Sequence, residues 1–375
     1  MGETEELIRM AAFAHVRRLS ETHDPLTSNE LKPGFMFRDE RIPLVNPQRG
    51  IFKTVVMTDI NRQFKCAKCQ ELRELPLHLH ELAMFSELLL NEHNVYERKK
   101  GVVKQKGKAH TKNIAKWLRL ASQLERVELN PFRYEEAHIY CEPVNDMLTS
   151  NAQHHETIIT PLTRFIYVAN ALEEIYRFIS PLYEAAYDIL QKQSLKPEHI
   201  RTYSAQSAYL LEKEQENIKL PRHYNHLVDN FLKIVKLYTD QFHSHFDMDL
   251  ENSKGLSFGL CLVRNIRNQI AHGSFPIIED PEYTCEFYEP HTKRNIINLL
   301  GQASRISAIN IQMLLAMASD GLGSDEHEAS CMDYDYGDYF KEHCTFHYLL
   351  NLHVIQDFGL NESDYFAFSS EEDES

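Results

Sequence analysis

The sequence predicts an α+β fold in which a small N-terminal α+β module precedes a mainly α-helical bundle. Residues 31–53 contain short runs with apolar side chains at alternate positions, which is typical of β-strands. Residues 158–192 and 256–271 carry apolar side chains every three or four positions, which is typical of amphipathic helices. Because the strand pattern comes first, we expect the two classes of structure to occupy different parts of the chain.

The composition is that of a globular protein without a membrane segment. Of the 375 residues, 43% are hydrophobic, and no apolar run approaches the ~20 residues that a membrane-spanning helix needs. The chain opens with Glu3, Glu5 and Glu6, where a secretory leader would carry positive charge. The 7 cysteines, an odd number without a leader, indicate reduced thiols. We therefore expect a cytoplasmic protein of two domains.

The net charge of −15 is concentrated at the C-terminal end. Residues 320–375 hold 15 acidic residues and one basic residue, Lys341, so residues 1–319 carry a net charge of only −1. The predicted segments are a small α+β recognition module (1–95), a basic linker and helix (96–147), a helical bundle (148–320) and an acidic, aromatic-rich tail (321–375). We hypothesise that the tail folds back on the basic segment or on the functional cleft; the alternative is a solvated tail.

The predicted strands at residues 31–53 also carry a family resemblance. The segment LKPGFMFRDERIPLVNPQRGIFK resembles the module that precedes the HNH nuclease domain in some bacterial restriction-type endonucleases. The matching residues are Gly34, Phe35, Phe37, Arg41, Pro47, Gln48, Gly50, Ile51 and Lys53. No HNH catalytic segment follows, so the resemblance implies at most a recognition role, with nucleic acid as one ligand. The alternative is a small β scaffold with no ligand of its own.

A strongly basic segment connects this module to the helical part. Residues 98–119 contain nine Lys or Arg residues and no acidic residue, and Gly101 and Gly107 predict a flexible loop in the first half. We expect contacts with nucleic-acid phosphates. The candidate contact residues are Lys99, Lys100, Lys104, Lys106, Lys108 and Lys112. Trp117 could stack on a base, but its helical spacing with Ile114 and Leu118 favours a core position.

Two cysteines and two histidines form a weak candidate for a metal site. Cys66 and Cys69 have the spacing of a zinc knuckle, and His78 and His80 could complete four ligands. The histidines are closer together than in most structural zinc sites, and Pro76 separates the two pairs. We therefore expect reduced cysteines beside ordinary polar histidines, with no metal and no cofactor.

The predicted function depends on residues 256–273, which have the sequence LSFGLCLVRNIRNQIAHG. On a helical projection of about 100° per residue, Arg267 lies within an apolar arc. A buried guanidinium must be paired or reserved for an anionic ligand, and Glu173, on the inner stripe of the 158–192 helix, is the candidate partner. His272 ends the helix, with Gly273 as the C′ residue and Pro276 preventing its continuation.

The motif Arg267-Asn268-Gln269-Ile270-Ala271-His272 resembles the R-x4-6-H signature of HEPN domains, in which a polar residue often follows the arginine. The resemblance implies a helical bundle that dimerises to form a metal-independent ribonuclease site. Its catalytic residues would be Arg267, Asn268 and His272, with Glu173 and Arg264 in supporting roles. The competing interpretation is a salt-bridged arginine inside a bundle and a surface histidine at a helix end.

RNA carries its own nucleophile, the 2′-OH, so its cleavage requires proton transfer and charge stabilisation but no metal. An imidazole titrates near neutral pH, and a guanidinium is a planar donor for a developing phosphorane. On one regular helix Arg267 and His272 point about 140° apart. Both reach one phosphate only if His272 leaves the helical path at Gly273 or if two protomers each contribute a residue, so a homodimer is part of the prediction.

The resemblance implies a toxin or anti-phage defence effector, with RNA as substrate and an antitoxin or defence-system protein as a further partner. A non-catalytic nucleic-acid-binding or dimerisation module of such a system is the alternative. A third class, a zinc-dependent DNA nuclease or DNA reader, would be recognised by its metal content and its preference for duplex DNA.

Overall fold

A computed structural model describes residues 66–355, apart from residues 100, 137–138, 140, 194–197, 215–217, 247, 251–254, 279, 281–291, 320–321 and 323–345. The strands and the endonuclease-like pattern expected at residues 31–53 lie outside these residues, as does most of the acidic tail. The hypothesis that the tail restrains the basic segment therefore stays a prediction.

The described residues are mostly helical, with one two-stranded antiparallel sheet, in agreement with the α+β class that the sequence predicts. In chain order the elements are α1 (Ala67–Gln70), α2 (Leu75–Leu89), β1 (Glu92–Lys99), β2 (Val102–His110), α3 (Thr111–Gln123), α4 (Glu142–Phe178), α5 (Ser180–Lys192), α6 (Tyr203–Lys213), α7 (Tyr224–Phe242), α8 (Phe258–Ala271), α9 (Thr292–Ala318) and α10 (Phe346–Asn351). None of the described helices combines the length and the apolar character needed to span a membrane.

Helix α9 is the centre of the hydrophobic core. Its side chains are buried on all sides from Ile296 to Leu315, and it packs against α4, α7 and α8. The buried residues include polar ones such as Gln302, Arg305 and Asn310, so α9 is a central helix surrounded by the other elements rather than an amphipathic surface helix. Helix α8 lies close against it at Gly259, where a Cβ atom would come within 3.0 Å of the Ile306 side chain. This contact fixes the position of the predicted R-x4-H helix.

The long helix α4 differs from its predicted extent. The pattern places a helix start near residue 158 with Pro161 in the first turn, whereas α4 begins at Glu142 and contains Pro161 in its interior. The buried side chains of Ala152, His154 and Ile158 hold the earlier turns against the core and offset the hydrogen bond that proline cannot make. Pro181 can kink or split the predicted 158–192 helix, and the helix is divided there, since α4 ends at Phe178 and α5 begins at Ser180.

The first half of the basic segment is a β-hairpin, so the prediction of a flexible loop there is wrong. Strands β1 and β2 pair in antiparallel register, and Gly101 turns the chain with a φ of 78°. Strand β1 is anchored because Val95 is buried and the His93 ring stacks on the Phe178 ring, with 4.0 Å between the ring centroids. Lysine-rich sequence has little tendency to form strands alone, and these tertiary contacts supply the missing stability.

The first and last described segments join the same hydrophobic core as the long helices. Buried residues of α2 and α3 belong to one cluster with those of α4, α7, α8 and α9. The sequence of residues 348–354 predicts one more short helix, and α10 lies there, with Leu349 and Leu352 buried. Beyond it, Val354 pairs with Leu72 in an antiparallel bridge. Part of the segment assigned to the tail therefore packs in the core.

Candidate functional site

The C-terminal end of α8 has the geometry that the motif predicts. The Gly273 amide donates to the carbonyl of Ile270 at 3.1 Å, and the Ser274 amide donates to the carbonyl of Gln269 at 2.9 Å. Gly273 has a φ of 69°, a left-handed conformation that glycine adopts without steric cost. These are the two hydrogen bonds of a Schellman cap, and they make Gly273 the C′ residue. The cap holds the end of the helix, and with it His272, in a defined place.

Arg267 is half-exposed rather than buried, so the expectation of a guanidinium enclosed in an apolar groove is wrong. Its side chain is 41% exposed and forms an ion pair with Glu173 of α4, whose side chain is 39% exposed. The Arg267 Nη1 also donates to Asn268 Oδ1 at 3.1 Å. The apolar arc itself is buried through Ile266, but Ala271 is exposed, because the last turn of α8 extends beyond the core. The guanidinium therefore has two protein partners and access to solvent.

His272 is exposed and continues the helical direction. Its φ of −90° and ψ of 2° remain close to helical values, and its amide donates to the carbonyl of Asn268 at 2.9 Å. The chain leaves the helical path one residue later, at Gly273. Side chains five residues apart on a helix point about 140° apart, so this cap does not turn His272 toward the face of Arg267. One protomer alone does not present both groups on one helical face.

Further residues between α4 and α8 support the ion pair. Tyr176, one turn after Glu173, is buried, and burial together with the Glu173 charge raises its pKa well above the usual range. The charges of Arg264 and Arg267 act on the pKa of the same phenol in the opposite direction. Arg264 thus contributes positive charge near the ion pair.

Gln269 is a positioning residue that the sequence analysis missed. Its side-chain Oε1 accepts a hydrogen bond from Tyr238 of α7 at 2.9 Å, and its Nε2 donates to the carbonyl of His245 at 3.2 Å. It therefore connects the end of α8 to α7 and to the loop that follows α7. A glutamine inside the motif gives no sequence signal for this role, because both partners are distant in the chain.

The candidate nucleic-acid contacts are spread along the hairpin and the start of α3. Lys104, Lys106 and Lys108 are exposed on β2, and Lys112 is exposed on α3. Lys106 Nζ lies 3.7 Å from Glu97 Oε1, and Lys108 forms an ion pair with Glu92. Part of the positive charge is therefore balanced within the hairpin. Lys99 closes β1, and Lys100 lies outside the described residues.

Trp117 takes the core position that its spacing favours. It is partly buried against the hydrophobic core, and its ring lies 6.0 Å from that of Tyr167 on α4. Residues on the opposite side of α3, including Lys112 and Lys116, face solvent. The amphipathic pattern of the helix accounts for both observations.

The cysteine pair has a different histidine neighbour from the one expected. The Nε2 atom of His226 on α7 lies 3.4 Å from Cys66 Sγ and 3.2 Å from Cys69 Sγ. Within the described ranges, these three residues are the one group of His, Cys, Asp or Glu whose ligand atoms all lie within 4.8 Å of one another. The Asn230 amide nitrogen lies 3.0 Å from the same His226 nitrogen.

His78 and His80 do not join the cysteines, so the metal-ligand set suggested by the sequence is wrong. Both lie on α2, where residues two apart point to different sides, rather than on a strand with a shared face. His78 is fully buried and lies 2.9 Å from Gln312 Oε1 on α9. Burial lowers the pKa of both imidazoles, most strongly that of His78, which keeps them neutral in the core.

No protein-family model, curated protein or solved structure matches this chain. Two clusters of side chains therefore carry the chemistry from which a function is inferred: the Arg267 cluster of Arg267, Glu173 and Asn268, and the Cys66 cluster of Cys66, Cys69 and His226.

Proposed function

We propose that the chain is a metal-independent endoribonuclease of the HEPN type, with its active site at the exposed end of α8. The observation that supports this best is that Arg267 is partly exposed and held by two protein partners. A guanidinium that is 41% exposed, held by Glu173 and Asn268, keeps a face available for a phosphodiester while its orientation is restrained. His272 is exposed on the same capped end of the helix.

The proposed reaction is transesterification within the RNA strand. The 2′-oxygen attacks the adjacent phosphorus, the bond to the 5′-oxygen of the next nucleotide breaks, and the products carry a 2′,3′-cyclic phosphate and a 5′-hydroxyl. One group must take the 2′-OH proton and another must protonate the leaving oxygen. In a homodimer, His272 of one protomer would take the 2′-OH proton, a water molecule would protonate the leaving oxygen, and Arg267 of the other protomer would stabilise the charge of the phosphorane.

The decisive experiment is cleavage of RNA in the presence of EDTA. Purified protein is expected to cut single-stranded RNA and to leave cyclic phosphate ends. His272→Ala and Arg267→Ala are each expected to lower the rate at least about a hundredfold, because each removes a group that acts in the transition state. Both positions are on the surface, so the thermal unfolding temperature should change little.

Matched substitutions away from the cluster control for loss of charge and of imidazole. Arg177→Ala removes an arginine whose side chain is 55% exposed on α4, and His243→Asn replaces an exposed histidine with a residue that tolerates its φ of 48°. Both variants should cleave at the wild-type rate. Cleavage by His272→Ala at the wild-type rate would refute the assignment.

The exposed basic hairpin favours a second candidate, a nucleic-acid-binding module without catalysis. In that case the protein would bind RNA with strong dependence on salt, and no cyclic phosphate would form. The first experiment separates the two candidates, because binding without cleavage supports the module alone.

As a ribonuclease of this type, the chain is proposed to act in the cytoplasm as a toxin or anti-phage effector, with an antitoxin or defence-system protein as its regulator. Co-purification from the native host, followed by identification of the bound protein or RNA, tests this part of the proposal. Recovery of the chain without a bound partner and without toxicity on expression would contradict it.

A further inference from the structure

The segment that contains Cys66 and Cys69 is folded as a knuckle. Cys66 precedes the single turn of α1, and its carbonyl accepts the amides of Cys69 at 3.0 Å and Gln70 at 3.2 Å. The sulfur atoms of Cys66 and Cys69 lie within 4.8 Å of each other, close enough to bind one ion.

Contacts outside the cluster hold the knuckle against the first turn of α7. Glu71, two residues after Cys69, accepts hydrogen bonds from Arg222 Nη2 at 3.0 Å and His223 Nε2 at 2.7 Å. These residues directly precede α7, on which His226 lies. The approach of the imidazole to both sulfurs is therefore supported by independent ion pairs.

We propose that Cys66, Cys69 and His226 bind one zinc ion. Thiolate and imidazole ligands at these separations suit a tetrahedral ion with sulfur about 2.3 Å and nitrogen about 2.0 Å from the metal. The same ligand set disfavours magnesium and calcium, which prefer oxygen. The inference does not depend on the proposed ribonuclease function.

The ion would join α1 to α7, two elements that are far apart in the sequence. Its fourth position would be filled by water. The Asn230 side chain adjoins the cluster, with its amide nitrogen 3.0 Å from His226 Nε2. In this role the metal stabilises the fold by closing a long loop.

The test is metal analysis of full-length protein purified without chelators and without an affinity tag that binds metals. The wild-type protein should contain about one zinc per chain. Cobalt exchanged for zinc should give the visible absorption of a tetrahedral site and a near-ultraviolet thiolate-to-cobalt band. The double variant Cys66→Ser/Cys69→Ser and the single variant His226→Gln should lose most of the metal.

Two matched controls are Cys261→Ser on α8 and His155→Gln on α4, which should keep the wild-type zinc content. If the ligand variants do not fold, alkylation of the wild-type protein gives the answer. Zinc should protect Cys66 and Cys69 from alkylation, and the exposed Cys141 should react with or without zinc. Zinc-free wild-type protein that also fails to bind cobalt, or equal alkylation of the pair with and without zinc, would overturn the proposal.

Chelation separates this inference from the ribonuclease proposal. Removal of zinc is expected to lower the unfolding temperature by about 5 °C or more, because a ligand that binds only the folded state stabilises it. At a temperature where the zinc-free protein stays folded, RNA cleavage should continue. Loss of cleavage in the folded, zinc-free protein would reject the metal-independent mechanism and leave the zinc site intact.

Discussion

The Arg267–Glu173 pair shows how much one electrostatic contact contributes at this site. Both side chains are about two-fifths exposed, and exposed ion pairs stabilise proteins by about 1 kcal/mol or less. The pair is therefore of small consequence for the fold. Its value lies in orientation, because a guanidinium held at one edge by a carboxylate presents its other donors in a fixed direction.

We expect Glu173→Gln to impair catalysis without unfolding the protein. The substitution keeps the size of the side chain and removes the charge that orients Arg267, and small misplacements of a catalytic group are costly. The predicted result is a cleavage rate about tenfold lower, with a change in the free energy of unfolding of about 1 kcal/mol or less. Single-turnover kinetics and urea unfolding measure the two quantities.

The adjacent Glu174 provides the control, because it pairs with Arg177 one turn away rather than with α8. Glu174→Gln should cleave RNA normally. Equal loss of activity in both variants would indicate a general electrostatic effect on RNA binding. Unchanged activity in Glu173→Gln would remove Glu173 from the site.

Among the elements, the β-hairpin is the best candidate for a nucleic-acid contact surface. Arg98 attaches β1 to α5 through Glu184 at 2.9 Å and Asp188 at 2.6 Å, and its guanidinium lies 4.9 Å from the centre of the Tyr187 ring. With β1 attached in this way, β2 faces solvent from Val102 to Lys108. Arg98 thus has a structural role, whereas Lys104, Lys106 and Lys108 of β2 are exposed to solvent.

Charge reversal on β2 should weaken RNA binding. The triple variant Lys104→Glu/Lys106→Glu/Lys108→Glu is expected to bind RNA at least about tenfold more weakly and to show a smaller dependence of affinity on salt, because fewer counterions are released. Fluorescence anisotropy over a series of salt concentrations measures both effects.

A second triple variant, Lys192→Glu/Lys213→Glu/Lys233→Glu, changes the net charge equally at exposed positions outside the hairpin. It should bind RNA with nearly wild-type affinity. If both triple variants lose affinity to the same extent, binding follows net charge and the hairpin has no special role.

For the whole molecule, the directions in which Arg267 and His272 point decide whether one protomer can form the site alone. Arg267 pairs with α4, and His272 continues the line of α8 into solvent with a helical offset of about 140°. A second copy that supplied the complementary group would complete the site. The oligomeric state is therefore part of the catalytic proposal.

Mixing two inactive variants tests this directly. If each site takes Arg267 from one protomer and His272 from the other, a heterodimer of Arg267→Ala and His272→Ala chains contains one intact site. The purified heterodimer should then have about half of the wild-type activity, because one of its two sites is intact. The two chains are co-expressed with different tags, and the heterodimer is purified before assay.

The double variant Arg267→Ala/His272→Ala, paired with wild type, gives a dimer without an intact composite site. It should therefore be inactive if the site is shared and half-active if each protomer is complete. No activity in the mixed single variants, together with a half-active double-variant heterodimer, would refute the shared site.

Local features of the chain were predictable from the sequence. The cap at Gly273 follows from residues within two turns, and the break at Pro181 follows from the absence of an amide proton. The pairing of Glu173 with Arg267 was also anticipated, because helical periodicity placed both side chains toward the same interface. Whether the motif is catalytic stays a prediction.

Features that depend on distant contacts were not predictable. The hairpin forms because β1 packs on α4 and α5, and its own lysines give no strand signal. The half-exposure of Arg267 depends on how far α8 extends beyond the core. His226 was missed because 157 residues separate it from Cys69, while His78 and His80 are close in sequence but lie on a buried helix.

By itself, the sequence determined the class of structure, the end of α8 and the residue types available for chemistry, because these depend on contacts within a few turns of the chain. Tertiary structure alone decided which groups meet. Packing around α9 set the exposure of Arg267, brought α7 to the knuckle and placed His226 beside Cys66 and Cys69. A histidine becomes a candidate metal ligand through its distance from two sulfurs, and that distance is a property of the packed molecule.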